Sequence, residues 1–172
     1  MKNKISIIIV TWNTAKITKK CVDTINKYLP NQEIIVVDNG SQDNTVEILK
    51  KIKNVKLIEN GINLGFAKAN NIGLKNATSD LIIFMNSDIE IIDDSLFNMV
   101  DYLNKNPKIG LIGPKFLNPD LSPQASVFPP QTYFNAFKEF WLGKKDSYSK
   151  YAPKGNNPTK VSYISGGCIA VN

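Results

Sequence analysis

The 172-residue sequence has no histidine and only two cysteines, and both shortages narrow the chemistry open to it. Without histidine, the chain can build neither a histidine-ligated zinc centre nor a Ser-His-Asp triad. Cys21 and Cys168 lie far apart and lack metal-ligand spacing, so we expect no disulfide framework and take a reducing cytoplasm as the default compartment. A resident metal would need oxygen ligands, which favours Mg²⁺ or Mn²⁺.

Long apolar runs and the common phosphate-binding loops are also missing. No stretch approaches the roughly 18 consecutive apolar residues of a membrane span, and Ile5–Val10 is too short for the apolar region of a signal peptide. Neither a P-loop nor a G-x-G-x-x-G motif is present. The net charge of +6 fits an anionic ligand, a nucleic acid or an anionic membrane surface, and it does not choose between them.

Short β-branched runs alternate with segments of helical periodicity over most of the chain. We predict strands at Ile5–Val10, Ile34–Val37, Val55–Ile58 and Leu81–Met85. Because helix-period segments separate these strands, the fold class is α/β. We expect a three-layer α/β/α sandwich with a mostly parallel central sheet.

Several helix boundaries and faces can also be predicted. The first helix should stop at Pro30 and carry Ile17 on its apolar face. Asn44, with Glu47 three residues on, fits a capping box for the second helix. A later helix should be capped by Asp94 or Ser95, and its apolar positions have helical spacing: Leu96, Met99, Val100 and Leu103.

Two of the predicted strands end in a carboxylate or amide. Asp38 follows Ile34–Val37, and Asn86-Ser87-Asp88 follows Leu81–Met85. In open α/β sheets ligands bind beyond the carboxyl ends of the strands, which indicates a crevice for a polar ligand and a divalent cation. Taken singly, a strand-end aspartate before a glycine turn is more often a turn or cap device.

A loop-to-helix transition supplies two more candidates. Gly65 would let the backbone approach a ligand, and Lys68 would supply charge for a phosphate. An ordinary helix start is the alternative for this segment.

In this order, five segments resemble the family 2 glycosyltransferases, which have the GT-A nucleotide-sugar-binding fold. The matching segments are 7–13, 36–41, 60–70, 84–88 and 165–168. The chain resembles the rhamnosyltransferase-like branch of this family, because Asn86-Ser87-Asp88 has the form Asn-x-Asp where other members carry Asp-x-Asp.

The resemblance implies a role for each candidate residue. Asp88 would bind the metal, Asn86 would hydrogen-bond the ribose or the sugar, and Asp38 would accept the ring N–H of uracil or thymine. The other nucleotide-binding candidates line the nucleoside pocket or approach the phosphates: Thr11, Asn13, Asn39, Gly65 and Lys68.

The implied activity is inverting transfer of a sugar from a UDP- or dTDP-linked donor to a saccharide or lipid-linked acceptor, in bacterial surface polysaccharide synthesis. The family's general base would lie beyond Asn172, so we expect a truncated chain that binds the donor and transfers sugar poorly or not at all. A non-catalytic nucleotide-binding module is the alternative. Nucleic-acid binding is disfavoured because the lysines are scattered.

The resemblance also suggests an organisation for residues 1–172. We expect one domain, with a donor-binding half at 1–113 and the incomplete start of an acceptor half at 114–172. Short strands are predicted at Ile109–Ile112, near the end of the first half, and from Val161 in the second. Its aromatic, basic stretch, 128–151, could be a helix packed on the core, an acceptor-site loop or a peripheral membrane contact.

Overall fold

The computed structural model describes residues 4–172, which form two compact units. The first unit comprises the chain up to Ile112 together with Gly167–Asn172, and the second is Gly113–Gly166. The chain's last residues therefore belong to the first unit.

The helices and strands alternate as expected through β5. In chain order they are β1 (Ile5–Thr11), α1 (Ala15–Tyr28), β2 (Glu33–Asp38), α2 (Thr45–Leu49), β3 (Val55–Glu59), α3 (Phe66–Lys75), β4 (Leu81–Asn86), α4 (Ser95–Lys105), β5 (Leu111–Ile112), β6 (Val127–Phe128), α5 (Tyr133–Phe140), β7 (Tyr163–Ile164) and β8 (Cys168–Val171).

The first unit is built on a six-stranded sheet in the order β3-β2-β1-β4-β8-β5. The strands β1 to β4 pair in parallel, and β8 runs antiparallel to β4 and β5. The prediction of a mostly parallel central sheet is therefore confirmed. Short β8 is an antiparallel exception, which is common at one side of an otherwise parallel sheet.

Helices cover both faces of this sheet. On one face, Ala69 of α3 packs in a buried cluster with Ile8 and Val37. On the other, the Cys21 sulfur of α1 lies 3.8 Å from the Met85 sulfur. Because alternate residues of a strand point to opposite faces, a strand buried on both sides needs a continuous apolar run.

The face that α1 buries differs from the predicted one at Ile17. That side chain is 50% exposed, whereas neighbouring Thr18 is fully buried. The Thr18 hydroxyl lies 2.7 Å from the Thr11 hydroxyl, so a hydrogen bond to the end of β1 satisfies its polar atom inside the core. The helix ends at Tyr28, close to the stop expected from Pro30.

The capping box predicted at Asn44 is wrong. Asn44 precedes α2 but makes no capping hydrogen bond through its side chain. Instead, the Asp43 carboxylate accepts the Thr45 N–H at 3.0 Å. This bond satisfies a different donor from the one that a capping box would use, because an Asx turn reaches the N–H of the first helical residue, whereas a capping box reaches that of the third.

At the start of α4, too, the side-chain bond comes from the residue before the predicted cap. Asp94 precedes the helix without a side-chain capping bond, and Asp93 accepts the Ser95 N–H at 2.9 Å. Leu96, Met99, Val100 and Leu103 are buried, which confirms the predicted apolar face.

The second unit contains one short antiparallel pair, β6 with β7, and helix α5. The strand expected from Val161 begins only at Tyr163 and is separate from β8. Helix α5 has no buried residue, so the expectation of a helix packed on the core is wrong. Over residues 4–172, no helix combines the length and apolar character needed to cross a bilayer.

Candidate functional site

Strand register brings the candidate residues to one edge of the sheet. Thr11 pairs with Asp38 across β1 and β2, and Val10 pairs with Asn86 across β1 and β4. The predicted residues Asp38 and Asn86 therefore flank the carboxyl end of β1. This is the edge at which open parallel sheets bind ligands.

Asp38 is buried with one carboxylate oxygen used and one free. It is 2% exposed, and its Oδ2 accepts the N–H groups of Gly40 at 3.1 Å and Ser41 at 3.0 Å. Among residues 4–172, Oδ1 has no hydrogen-bond donor. A buried acceptor without a donor is costly, and a ligand N–H would remove that cost.

Asn39 fastens the end of β2 to the loop before α3. Its Oδ1 accepts the Leu64 N–H at 2.9 Å and the Asn60 side-chain amide at 3.2 Å. Its Nδ2 donates to Asn63 Oδ1 at 2.8 Å. Both polar atoms of Asn39 are thus engaged within the protein, which gives it a framework role. Sequence analysis did not single out Asn60 or Asn63, whose signal is their place on either side of a glycine turn.

Gly40 permits a close approach of that same loop. Its φ is +83°, and a Cβ placed there would lie 2.7 Å from both the carbonyl carbon and the Cα of Ile62. Since the obstructing atoms are backbone, a side chain could enter only if the loop moved. Glycine is therefore required for the loop to reach the Asp38 turn.

Thr11 and Asn13 lie at the end of β1, beside the turn that follows Asp38. The Thr11 hydroxyl lies 2.9 Å from that of Thr14 and is almost fully buried. Asn13, in the left-handed region with φ 54°, donates its N–H to Ser41 Oγ at 2.8 Å and accepts the Gln42 N–H at 2.7 Å. These bonds fix the turn that carries the Asp38 partners.

Gly65 and Lys68 stand at the beginning of α3. Gly65 precedes the helix with φ +81°, and its N–H donates to Asn63 Oδ1 at 2.9 Å. Lys68 is exposed in the first helical turn. Free N–H groups at a helix start and an adjacent ammonium together favour an anion.

Asn86 and Asp88 leave β4 in a turn. Asn86 is half-buried, and its N–H donates to the Gly167 carbonyl at 2.8 Å, which joins β8 to this edge. Asp88 is exposed. The ion pairs of residues 4–172 do not include it, whereas Glu90 in the same turn pairs with Lys20 at 2.7 Å.

Metal binding would rest on few protein ligands. Within residues 4–172, no cluster of three or more histidine, cysteine, aspartate or glutamate side chains could hold an ion. A hard cation here would be bound by Asp88, by oxygens of a bound phosphate compound and by water, which is the usual arrangement for Mg²⁺ beside phosphates.

The two cysteines lie behind this edge as inert thiols. Burial raises the pKa of Cys168 to about 12. Burial also raises the pKa of Cys21 to about 12, helped by Cys168 and by the negative charges of Asp88 and Glu90. Thiols that stay protonated are poor nucleophiles, so the chemistry of this edge belongs to the oxygen and nitrogen groups.

The sequence matches one known family over almost its whole length. Residues 6–170 fit the family described as Glycosyl transferase family 2. The chain belongs to this family.

Its relatives include enzymes of polymer synthesis. This family 2 chain is 34% identical over 115 residues to the poly-beta-1,6-N-acetyl-D-glucosamine synthase of Staphylococcus epidermidis, covering 63% of this chain and 27% of the relative. It is 34% identical over 111 residues to the poly(ribitol-phosphate) beta-glucosyltransferase of Bacillus spizizenii, covering 60% and 18%. The chain thus spans only a minor part of these relatives.

Two solved structures share the architecture. TarS 1–349 of S. aureus, in complex with UDP-GlcNAc, is 27% identical with a TM-score of 0.55, covering 60% of this chain and 32% of TarS. The mannosyltransferase PcManGT of Pyrobaculum calidifontis, in complex with GDP-Man and Mn²⁺, is 24% identical with a TM-score of 0.63, covering 70% and 37%. The predicted GT-A fold is confirmed.

Proposed function

We propose that this chain binds a UDP- or dTDP-linked sugar beyond the ends of β1, β2 and β4, as the donor-binding part of an inverting glycosyltransferase. The observation that carries the proposal is the free, buried Oδ1 of Asp38. Uracil and thymine each present one ring N–H between two carbonyls, which a single carboxylate oxygen can accept. TarS, 27% identical, has a UDP-sugar complex, which supports a pyrimidine donor here.

The remaining candidates divide into ligand contacts and supports. We assign Gly65 and Lys68 to the phosphates, because the helix start and the ammonium both favour anions. Asn86 would hydrogen-bond the ribose or the sugar with its side-chain amide. The other three predicted nucleotide-binding residues, Thr11, Asn13 and Asn39, would shape the pocket through their internal hydrogen bonds.

Asp88 is the residue that would hold Mg²⁺ or Mn²⁺. Its carboxylate is exposed, has the hard oxygen chemistry that these ions prefer, and is not committed to an ion pair within residues 4–172. When bound, such an ion neutralises charge that grows on the nucleoside diphosphate as the glycosidic bond breaks.

The acceptor class is proposed from the relatives. The names of two relatives, a poly-N-acetylglucosamine synthase and a poly(ribitol-phosphate) glucosyltransferase, favour a saccharide or lipid-linked acceptor in surface polysaccharide synthesis. The transferred group would be a hexose or, as the Asn-x-Asp form of residues 86–88 suggests, rhamnose. Both cysteines are free thiols, which is compatible with the proposed cytoplasmic location.

Binding of UDP to an Asp38→Asn variant tests the base contact. A hydrogen bond to a charged acceptor contributes about 1.5–3 kcal/mol, so we expect calorimetry to show roughly tenfold to hundredfold weaker binding. Asp80→Asn removes an exposed carboxylate elsewhere in the same unit and should leave the affinity unchanged. Equal affinities of Asp38→Asn and the native chain would overturn the base assignment.

Metal dependence tests Asp88 separately. Thermal unfolding with UDP, dTDP, GDP or CDP, each with and without Mn²⁺, should show stabilisation by UDP or dTDP that Mn²⁺ increases. A ligand at 100 times its Kd adds about 2.7 kcal/mol, which is easily measured. Asp88→Asn should abolish the Mn²⁺ increment, whereas Asp94→Asn should keep it. An increment that survives in Asp88→Asn contradicts the metal assignment.

A transfer assay separates the enzyme from its alternative. Transfer of sugar to a saccharide or lipid-linked acceptor by the chain or by a longer form of the protein would support the glycosyltransferase proposal. Donor binding without transfer in either form would favour the non-catalytic nucleotide-binding module.

A further inference from the structure

Helix α5 exposes its aromatic side chains and turns its polar ones toward its own unit. The exposed fractions are large throughout its aromatic set: Tyr133 99%, Phe134 64%, Phe137 48%, Phe140 68% and Trp141 79%. Asn135 and Glu139, by contrast, are half-buried. This is the reverse of an ordinary surface helix, in which the apolar stripe faces the core.

The exposed rings form one continuous surface. At 3.6 residues per turn, residues 133, 134, 137, 140 and 141 fall within an arc of about 120°. Phe137 and Trp141 stack with ring centroids 6.1 Å apart, and Phe140 meets Tyr148 edge-on at 5.8 Å. Leu142, 58% exposed, extends the surface past the helix.

Hydrogen bonds on the polar side hold this orientation. Glu139 accepts the N–H groups of Tyr148 at 2.7 Å and Ser149 at 3.0 Å, and it also accepts the Ser149 hydroxyl. Asn135 donates its side-chain amide to the Pro130 carbonyl at 2.8 Å. Rolling the helix to hide its rings would break these bonds, so the aromatic surface is the outward face of a fixed helix.

Lysines outnumber carboxylates in the unit that carries the rings. The second unit, Gly113–Gly166, carries seven lysines against three carboxylates, and one of those carboxylates, Glu139, is tied to Ser149. Lys138 Nζ lies 4.2 Å from the centroid of the Phe134 ring. Lys144 and Lys145 are exposed in the turn after the helix, where the Lys144 N–H donates to the Lys138 carbonyl at 3.0 Å.

We propose that this aromatic–lysine surface, comprising the exposed rings of residues 133–141 with Leu142, Lys144 and Lys145, docks on an anionic membrane surface. Aromatic rings favour the boundary between headgroups and acyl chains, and a short helix lying in that plane would bury its apolar arc there. Lysines beside the rings would meet anionic headgroups. The positive charge around the rings favours this occupant over a second copy of the same surface, which would bring lysines against lysines. The proposal is independent of the donor site.

Flotation of the full chain with vesicles tests the proposal. We expect binding to equimolar phosphatidylglycerol and phosphatidylcholine vesicles, and much weaker binding to phosphatidylcholine alone. Phe137→Ala with Trp141→Ala should weaken binding by roughly tenfold or more, because it removes two of the rings that would enter the membrane interface. Lys144→Gln with Lys145→Gln should do the same, and raised salt should weaken native binding.

A matched control removes exposed apolar groups from another surface. Leu74→Ala with Phe97→Ala truncates side chains 42% and 47% exposed on α3 and α4, and it should bind vesicles like the native chain. Far-ultraviolet circular dichroism confirms that each variant is folded, and the lysine variant keeps the test open if the aromatic one fails to fold.

Tryptophan fluorescence locates the contact. The chain has two tryptophans, so Trp12→Phe leaves Trp141 as the sole reporter, and its emission should shift to the blue with anionic vesicles. No partitioning of the native chain, equal partitioning of the aromatic variant, or absence of the blue shift would overturn the proposal. Self-association that is lost in the aromatic variant, without vesicle binding, would identify a protein interface instead.

Discussion

The carboxyl ends of β1 and β2 bury polar groups, whereas helix α5 exposes apolar ones. Asp38 and Asn39 are 2% and 3% exposed and lie beside a core of isoleucine and valine. Tyr133 and Trp141 are 99% and 79% exposed on a helix whose polar side chains are turned inward. Both regions depart from the usual distribution of side chains, in opposite directions.

The difference indicates what each region would bind. A buried carboxylate oxygen without a donor requires a ligand that brings one, which selects a small polar molecule. An exposed aromatic arc requires a partner that removes area from water, and the lysines around it select an anionic one. The first region is specific through single atoms, and the second through area and charge.

Truncating one apolar side chain in the core of the first unit and one in α5 tests whether the α5 rings are packed in the folded protein. Ile25 of α1 is fully buried, and Ile25→Ala should lower the free energy of unfolding by about 2–5 kcal/mol. Phe137→Ala should cost less than about 1 kcal/mol, since it loses only a partly exposed stack. Urea denaturation measures both, and similar losses would show that the α5 rings pack in the folded protein.

A pair of glycine variants sharpens the account of the strand-end region. Gly40→Ala combines a positive φ with a Cβ 2.7 Å from Ile62 backbone and should destabilise by about 3 kcal/mol. Gly61→Ala has φ +72° and no atom within 4 Å of its Cβ, so it should cost only about 1–2 kcal/mol. Thermal unfolding compares them, and equal losses would exclude the steric part of the explanation.

The smallest expected effect concerns the polar anchor of α5. Hydrogen bonds from the Ser149 hydroxyl and from the N–H groups of Ser149 and Tyr148 lower the pKa of Glu139 below its ordinary 4.5. A carboxyl whose pKa is lower in the folded state stabilises that state above its unfolded pKa, and the contribution is lost as pH falls through the folded pKa.

Glu139→Gln should therefore destabilise the chain slightly at pH 7, and the difference from the native chain should vanish well below pH 4.5. Denaturation at a series of pH values measures this, with Glu47→Gln, at an exposed position of α2, as the control. A difference that persists unchanged into acid would mean that Glu139 acts through packing rather than charge.

Strand positions and fold class were predictable because burial on both faces leaves a visible mark. Runs such as Ile34–Val37 must be apolar without interruption when helices cover both sides of a sheet. The end of each run also marks where a side chain emerges at the ligand edge, which is how Asp38 and Asp88 could be named as candidates. Their proposed roles remain predictions until ligand binding is measured.

Local side-chain chemistry was less predictable. Asn44 had the capping-box pattern, yet Asp43 makes the side-chain bond at the helix start, to the Thr45 N–H, because an Asx turn is an alternative to a capping box at this segment. Ile17 had the apolar identity, yet Thr18 is buried, because the Thr11 hydroxyl offers it a partner from a distant strand. Neither competition can be resolved from the order of residues alone.

By itself the sequence determined the alternation of strands and helices, the apolar sheet and the family, because these follow from local periodicity and from short motifs. Only the tertiary structure decided which polar atoms stay free. The side-chain oxygen and nitrogen of Asn39 are occupied by hydrogen bonds with Asn60, Asn63 and Leu64. Asp38, in contrast, keeps one carboxylate oxygen without a donor among residues 4–172. The outward face of α5 was likewise decided by the hydrogen bonds that Glu139 accepts from Tyr148 and Ser149 and that Asn135 donates to Pro130. The Asn39 partners lie 21 to 25 residues away in the sequence, and the nearer partners of Glu139 also meet it only once the loop beyond the helix has folded back.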